Sequence, residues 1–366
     1  MSKIRVLVVD DTAVVRLLLT EMLGSDPLVE VAATAPNGRI ALEKLDQVAP
    51  DLIVLDVEMP EMDGLQTLTA LRRRGSTLPV IMFSSHTQSG ARIAIEALQL
   101  GASDVVGKPT SGNLLETREA LLSRIKALCR RSSEIDASRL RRAAEPVLAP
   151  PPRPPPPAAG TRVDAVVVAI STGGPNALTT MLPLLPRDLP VPLLVVQHMP
   201  PVFTRILAER LASKSRIGVE EGAAGSAVAP GRAYIAPGDH HLTVERSATG
   251  VRLATNQSGH ENSCRPSADC LFRSAAEAYG EHVLAVVMTG MGQDGLRGCQ
   301  RIYAAGGQII IQDEASSVVW GMPGAVARAG LADAILPLEG IAEEIVRRTR
   351  KPGRHGAGDA GPSAGR

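Results

Sequence analysis

Short apolar runs alternate with amphipathic stretches along the first third of the chain. Strand-like runs occupy residues 4–9, 29–34, 52–55, 80–83 and 103–106. Apolar positions recur at helical spacing over residues 13–23, 38–47, 65–73, 91–100 and 113–127. The runs show little polar alternation, as expected for strands covered on both faces. Five strand–helix units of this length predict a doubly wound, five-stranded parallel sheet over residues 1–128.

The pattern breaks over residues 129–160. Arg130, Arg131, Arg139, Arg141 and Arg142 crowd one stretch, and PPPRPPPP fills Pro150 to Pro157. Such a proline run continues neither a helix nor a central strand, so a Pro/Arg-rich linker is expected, its proline run alone spanning ~25 Å if extended. The basic cluster reads either as solvated chain or as a contact for an acidic partner. Alternation then resumes over residues 161–350. A buried-strand run at 165–169 is followed by Ser171-Thr172-Gly173-Gly174-Pro175 and a helical pattern (Ala177, Leu178, Met181, Leu182). Further strand-like runs lie at 193–196 and 283–288, with a hairpin at 241–244 and 251–254. A second α/β domain is expected, with a mainly parallel sheet and a β-hairpin. Residues 351–366 are Gly-rich without core residues, which predicts a disordered tail.

Composition narrows the picture. The chain has 366 residues, 44% hydrophobic but only 2% aromatic, so two cores must be built from aliphatic side chains and methionine. A net charge of +1 gives no general electrostatic case for nucleic acid or membrane, and the second half shows no basic recognition helix. No apolar run approaches a membrane span, and MSKIRVLVVDD lacks a signal-peptide layout. Cys129, Cys264, Cys270 and Cys299 show no CxxC spacing, so no zinc site or disulfide framework is indicated. A cytoplasmic monomer without membrane insertion is expected.

Candidate chemistry falls at the carboxyl ends of strands, where open parallel sheets place ligand crevices. In the first domain these positions hold Asp10 and Asp11, Asp56, Ser84, and Lys108 with Pro109. Three converging carboxylates would repel one another unless a hard, oxygen-ligated cation such as Mg²⁺ joined them. Helix capping accounts for Asp11 alone but not for the set.

In the second domain Ser171 lies on a strand-to-helix turn, where Pro175 suits a first helical turn. By itself Ser-Thr-Gly-Gly reads equally as a tight turn with a helix cap or a phosphate cradle. His198 follows the run at 193–196, and Asp294 follows the run at 283–288 in a glycine-rich loop. Either residue alone also has a structural reading, as a bonded histidine or a capping aspartate. Together, serine, histidine and aspartate on three strand ends supply what nucleophilic acyl transfer requires. Their chain order differs from that of α/β-hydrolases, and no GxSxG elbow is present. His240 and His241, after a turn, are weaker candidates for the base. His86, His260, His282 and His355 have no supporting context.

The first domain resembles the response-regulator receiver family, through Val8-Val9-Asp10-Asp11, Leu55-Asp56-Val57-Glu58-Met59-Pro60 with Asp63-Gly64, Phe83-Ser84-Ser85 and Gly107-Lys108-Pro109. The resemblance implies phosphorylation of Asp56 by a sensor histidine kinase. It further implies Mg²⁺ held by Asp10, Asp11, Asp56 and the Glu58 carbonyl, with Ser84 and Lys108 reading the phosphoryl group. Val105 stands where the family often has an aromatic residue.

The whole chain resembles the chemotaxis protein-glutamate methylesterase family. The second domain carries this through Ser171-Thr172-Gly173-Gly174, Gln197-His198-Met199, Tyr234-Ile235-Ala236-Pro237-Gly238, Arg265-Pro266-Ser267, Thr289-Gly290-Met291-Gly292 with Asp294-Gly295, and Gln312-Asp313-Glu314 with Gly321-Met322-Pro323. The resemblance implies Ser171 as nucleophile, His198 as general base and acid, and Asp294 as the residue orienting the imidazole. It assigns the Met291 N–H to the oxyanion. Substrates would be methylated glutamates on the helical cytoplasmic region of chemoreceptors, hydrolysed without a cofactor, with deamidation of receptor glutamines as a related reaction. The implied receiver inhibits the esterase until Asp56 is phosphorylated. Ile170 and Cys264 depart from the family pattern. A phosphorylation-dependent adaptor without catalysis is the competing reading, which requires that Ser171, His198 and Asp294 do not converge.

Overall fold

The computed structural model describes residues 3–109, 112–129 and 162–350. The Arg/Pro-rich stretch from 130 and the tail at 351–366 lie outside the described residues.

The N-terminal unit runs β1 (Ile4–Val9), α1 (Ala13–Gly24), β2 (Val29–Ala35), α2 (Gly38–Val48), β3 (Leu52–Asp56), α3 (Gly64–Arg73), β4 (Val80–Ser84), α4 (Gln88–Gln99), β5 (Asp104–Gly107) and α5 (Leu114–Cys129). Its five strands are parallel in the order β2-β1-β3-β4-β5. The period of two sends Leu7, Val9, Ile53, Leu55 and Met82 to one face of the sheet and Val6, Val8, Val54, Ile81 and Phe83 to the other. Each face is then buried by helices. Strands β3 and β4 extend one residue beyond their apolar runs, so Asp56 and Ser84 are themselves the last residues of the ladder. Helix α4 begins three residues before the apolar periodicity predicts. There the Thr87 hydroxyl accepts the Gly90 N–H and caps a polar first turn.

The second unit runs β6 (Ala165–Ile170), α6 (Gly174–Met181), β7 (Leu193–Gln197), α7 (Phe203–Lys214), β8 (Gly218–Glu221), β9 (Arg232–Ile235), β10 (His241–Ser247), β11 (Gly250–Asn256), α8 (Ala268–Tyr279), β12 (Val283–Val287), α9 (Leu296–Ala304), β13 (Gln308–Gln312), α10 (Met322–Arg328), β14 (Ala334–Leu336) and α11 (Leu338–Thr349). Seven strands form a parallel sheet in the order β14-β13-β12-β6-β7-β9-β8. Strands β10 and β11 make the separate antiparallel hairpin. It extends past the expected apolar positions because Glu245, Arg246 and Ser247 pair while facing solvent. Strands β12, β6 and β7 lie side by side at the centre of the sheet, and every residue in them is buried. Their carboxyl ends therefore form one continuous rim.

The two units touch. Helix α4 packs on α7 and α6, and the His86 ring meets Phe203 edge-on at 6.1 Å. Arg92 pairs with Glu209 at 2.9 Å, and Arg210 bonds Gln99. Val318 and Val319, in the loop after β13, pack against the N-terminal core.

Candidate active site

The carboxyl rim of the N-terminal sheet brings together oxygens of Asp10, Asp11 and Asp56 within 4.8 Å of one another. The Lys108 ammonium bridges Asp10 Oδ2 and Asp56 Oδ2, at 2.8 Å from each. Burial pulls the Lys108 ammonium down, but these two carboxylates outweigh it and hold its proton firmly. Burial pushes the Asp56 carboxyl up to about 6, which Lys108 offsets only in part. One ammonium among three carboxylates, Asp10 and Asp56 buried and Asp11 exposed, leaves negative charge uncompensated at the rim, and this oxygen-rich donor set fits a hard divalent cation. Ser84 lies on the adjacent strand, its hydroxyl donating to the Ser85 carbonyl at 3.3 Å. Exposed Glu58 follows Asp56 by two residues.

On the second rim, Ser171 directly follows β6 and opens the turn into α6, where its carbonyl accepts the Gly174 N–H at 2.7 Å. Gly173 holds φ +80, a left-handed conformation, and a Cβ there would come within 2.6 Å of Val318. The turn therefore needs glycine. Ile170 and Gln197 pair in register, which puts Ser171 and His198 on neighbouring strand ends. The Gln197 amide donates to the Ser171 carbonyl at 3.0 Å and braces the turn from β7. The Ser171 hydroxyl makes no bond to His198 in this arrangement.

His198 and Asp294 meet directly, with Nε2 2.8 Å from Oδ2. Asp294 is 2% exposed and holds five hydrogen-bond partners. Its Oδ2 also accepts the Ala268 N–H at 2.6 Å, while Oδ1 accepts Ser267 Oγ at 2.6 Å, Asn262 Nδ2 at 2.9 Å and the Asp269 N–H at 3.2 Å. The carboxylate thus sits on the positive end of α8. Burial raises the Asp294 carboxyl, but His198, Ser267 and the α8 amide outweigh it and hold it at about 2. Burial disfavours a charged His198, yet the Asp294 carboxylate against its ring outweighs this and raises its proton affinity.

The loop Thr289–Gly292 closes the site from β12. A Cβ on Gly290 would lie 2.9 Å from Ser171 Cβ and 2.4 Å from Met322 Sδ, so only glycine lets this loop approach the serine. The Gly290 N–H bonds the Val319 carbonyl, whereas the N–H groups of Met291 and Thr172 have no acceptor among the described residues. Sequence reasoning placed Ser171, His198, Asp294 and Met291 on one rim, and they lie on it. It assigned no role to Asn262 or Ser267, which reach Asp294 from a loop some 30 positions away. His241 is no base: Nε2 meets the Gly259 carbonyl and Nδ1 accepts the Ser267 N–H. His86, without context in the sequence, lies at the contact between units and bonds the Lys108 carbonyl at 3.0 Å.

The chain matches the CheB methylesterase family over residues 166–345 and the response regulator receiver domain family over residues 6–119. It is 48% identical to a protein-glutamate methylesterase/protein-glutamine glutaminase of Trichodesmium erythraeum, over 95% of this chain and 99% of that relative. Its identity to the counterpart from a Nocardioides species is also 48%, covering 95% of this chain and 96% of the relative. The crystal structure of the Thermotoga maritima CheB methylesterase catalytic domain superposes with a TM-score of 0.50 at 42% identity, over 50% of this chain and 98% of that one. With relatives this similar over almost their full length, the chain belongs to the protein-glutamate methylesterase/protein-glutamine glutaminase family, with a receiver domain ahead of its methylesterase domain.

Proposed function

We propose that residues 161–350 hydrolyse the γ-methyl esters of glutamates on chemoreceptors, releasing methanol, under control of a phosphorylatable receiver at residues 1–128. The 2.8 Å contact between His198 and Asp294, one strand away from Ser171, carries this reading. Asp294 holds the imidazole through Nε2, which leaves Nδ1 as the nitrogen that serves the serine. Ser171 Oγ attacks the ester carbonyl carbon as its proton passes to Nδ1. The oxyanion forms beside Gly290, where the Met291 and Thr172 N–H groups are available as donors. Collapse of the tetrahedral intermediate expels the methoxy group, which leaves as methanol with the proton from His198. Water then attacks the acyl-serine, again giving its proton to His198, and glutamate and free Ser171 result. The same steps applied to a glutamine side chain release ammonia. No cofactor enters these steps.

In the receiver, Asp56 accepts the phosphoryl group from a sensor histidine kinase, while Ser84 and Lys108 bind its oxygens. Asp10, Asp11, Asp56 and the Glu58 carbonyl would hold Mg²⁺, which supplies positive charge against the phosphoryl oxygens. We read the contact of α4 with α6 and α7 as the inhibited state, because α7 opens five residues after His198. Phosphorylation at the neighbouring Asp56 loosens this packing. The chain works as a cytoplasmic monomer. Methanol release from methylated receptor membranes tests the reading: substitution of Ser171 by alanine should abolish it, and Asp56→Asn should abolish its stimulation by a phosphodonor.

A further inference from the structure

Cys264 Sγ lies 3.7 Å from His198 Nδ1, on the opposite side of the ring from the Asp294 contact. Both ring nitrogens are thereby engaged, and the nitrogen that the proposed mechanism assigns to Ser171 faces a thiol instead. The thiol is held there by a tight turn: Glu261 and Cys264 exchange backbone hydrogen bonds of 3.1 and 2.9 Å, across Asn262 and Ser263 at φ +52 and +60. The same turn sends Asn262 Nδ2 to both Asp294 Oδ1 and Asp269 Oδ2, at 2.9 Å each. One four-residue turn therefore touches the imidazole and the carboxylate that orients it.

We propose that Cys264 is a positioning residue of the esterase, which competes with Ser171 for Nδ1 of His198 and thereby sets the pH at which the imidazole becomes free to act as base. This rests on the reading of His198 as the base. An imidazole lone pair accepts one donor at a time, and a thiol is a weak donor, so the serine hydroxyl can displace it when substrate orders the site. The groups facing the ring are few. Asp294 lies on one side and Cys264 on the other. Asp269 stands beyond Asp294, and Glu261 is paired with Arg273 at 2.6 Å. Asp294, as a carboxylate, favours the protonated ring, whereas a thiol donating to Nδ1 occupies the lone pair and favours the neutral ring. Removing the thiol therefore raises the proton affinity of His198, and the acidic limb of activity moves to higher pH.

The test uses the full, unphosphorylated chain as wild type, Cys264→Ala and Cys264→Ser. The ring nitrogens of His198 are titrated by NMR, with assignment from His198→Gln, and methanol release is followed across pH on the same samples. The Ala variant should bring the His198 midpoint up by about half a pH unit. The acidic limb of kcat/KM should move with it, so that release at acidic pH falls about threefold. Serine, which keeps a donor of similar size without a titratable thiol, should fall between the two. An unchanged Nδ1 shift and midpoint in Cys264→Ala would overturn the proposal. If the midpoint rose while the limb of methanol release stayed in place, the contact would be real. His198 would then not be the base, and the catalytic half of the proposal would fall with that assignment.

Discussion

At the scale of residues, the site is organised by what Asp294 touches. A carboxylate with five partners at a helix start is fixed in place, so its contribution is orientation rather than proton transfer. Replacing it by asparagine removes the charge and can place an amide N–H against Nε2, which selects the wrong tautomer. The expected loss in kcat is on the order of 10³–10⁴, with KM little changed. Stability has a defined sign as well. A carboxyl held at about 2 stabilises the fold above its ordinary value and loses that contribution as pH falls through about 2. Thermal melts between pH 5 and 2 should therefore fall less steeply for Asp294→Asn than for the parent. An identical slope would show that the carboxylate is not held as its contacts indicate.

The elements explain how much the sequence could tell. Ser171 and His198 were legible because each closely follows an apolar run, and Asp294 because it lies in the glycine-rich loop after one, since parallel strands bring their carboxyl ends to one rim. Asp10, Asp56 and Ser84 were legible for the same reason. Asn262 was not, and Cys264 and Ser267 stood out only as a departure from and a member of a family motif, since their contacts with the site come through a turn between the hairpin and α8 that carries no periodic signal. Strands β8 and β14 also escaped notice; they are short edge strands with exposed positions, and edge strands need little apolar patterning. The glycine loop after β12 was recognised as permissive, but which glycine matters depends on packing. Gly290 is held by its close approach to Ser171, whereas Gly292 has open space around it and is needed only for its left-handed φ of +85. Gly290→Ala should thus cut kcat by about 10²-fold through displacement of the serine and the Met291 N–H. A steady-state assay on a variant shown by circular dichroism to be folded checks this, and a near-parental kcat would contradict the assigned close approach.

At the scale of the molecule, the order of domains places the proposed phosphate-sensing rim and the proposed ester-cleaving rim in one chain, with α4 and α7 in contact between the two units. The contact combines a buried aromatic edge, His86 on Phe203, with the exposed pair Arg92 and Glu209. An exposed pair of this kind contributes only ~0–1 kcal/mol, so the packing of α4 on α6 and α7 supplies most of the association, and it is this packing that the proposed phosphorylation must shift. Arg92→Glu, which sets like charges opposite each other, should raise basal methanol release several-fold and shrink the further stimulation by phosphodonor. Unchanged basal release would argue that the contact does not inhibit.

The central claim is that Ser171 is the nucleophile of a phosphorylation-controlled methylesterase. Its most direct test is methanol release from methylated chemoreceptor membranes by the full chain and its Ser171→Ala variant, each with and without Mg²⁺ and a small phosphodonor. The account predicts release by the parent that rises with phosphodonor, and background release by the variant in both conditions although its Asp56 is still phosphorylated. Release by Ser171→Ala at the parental rate would contradict it.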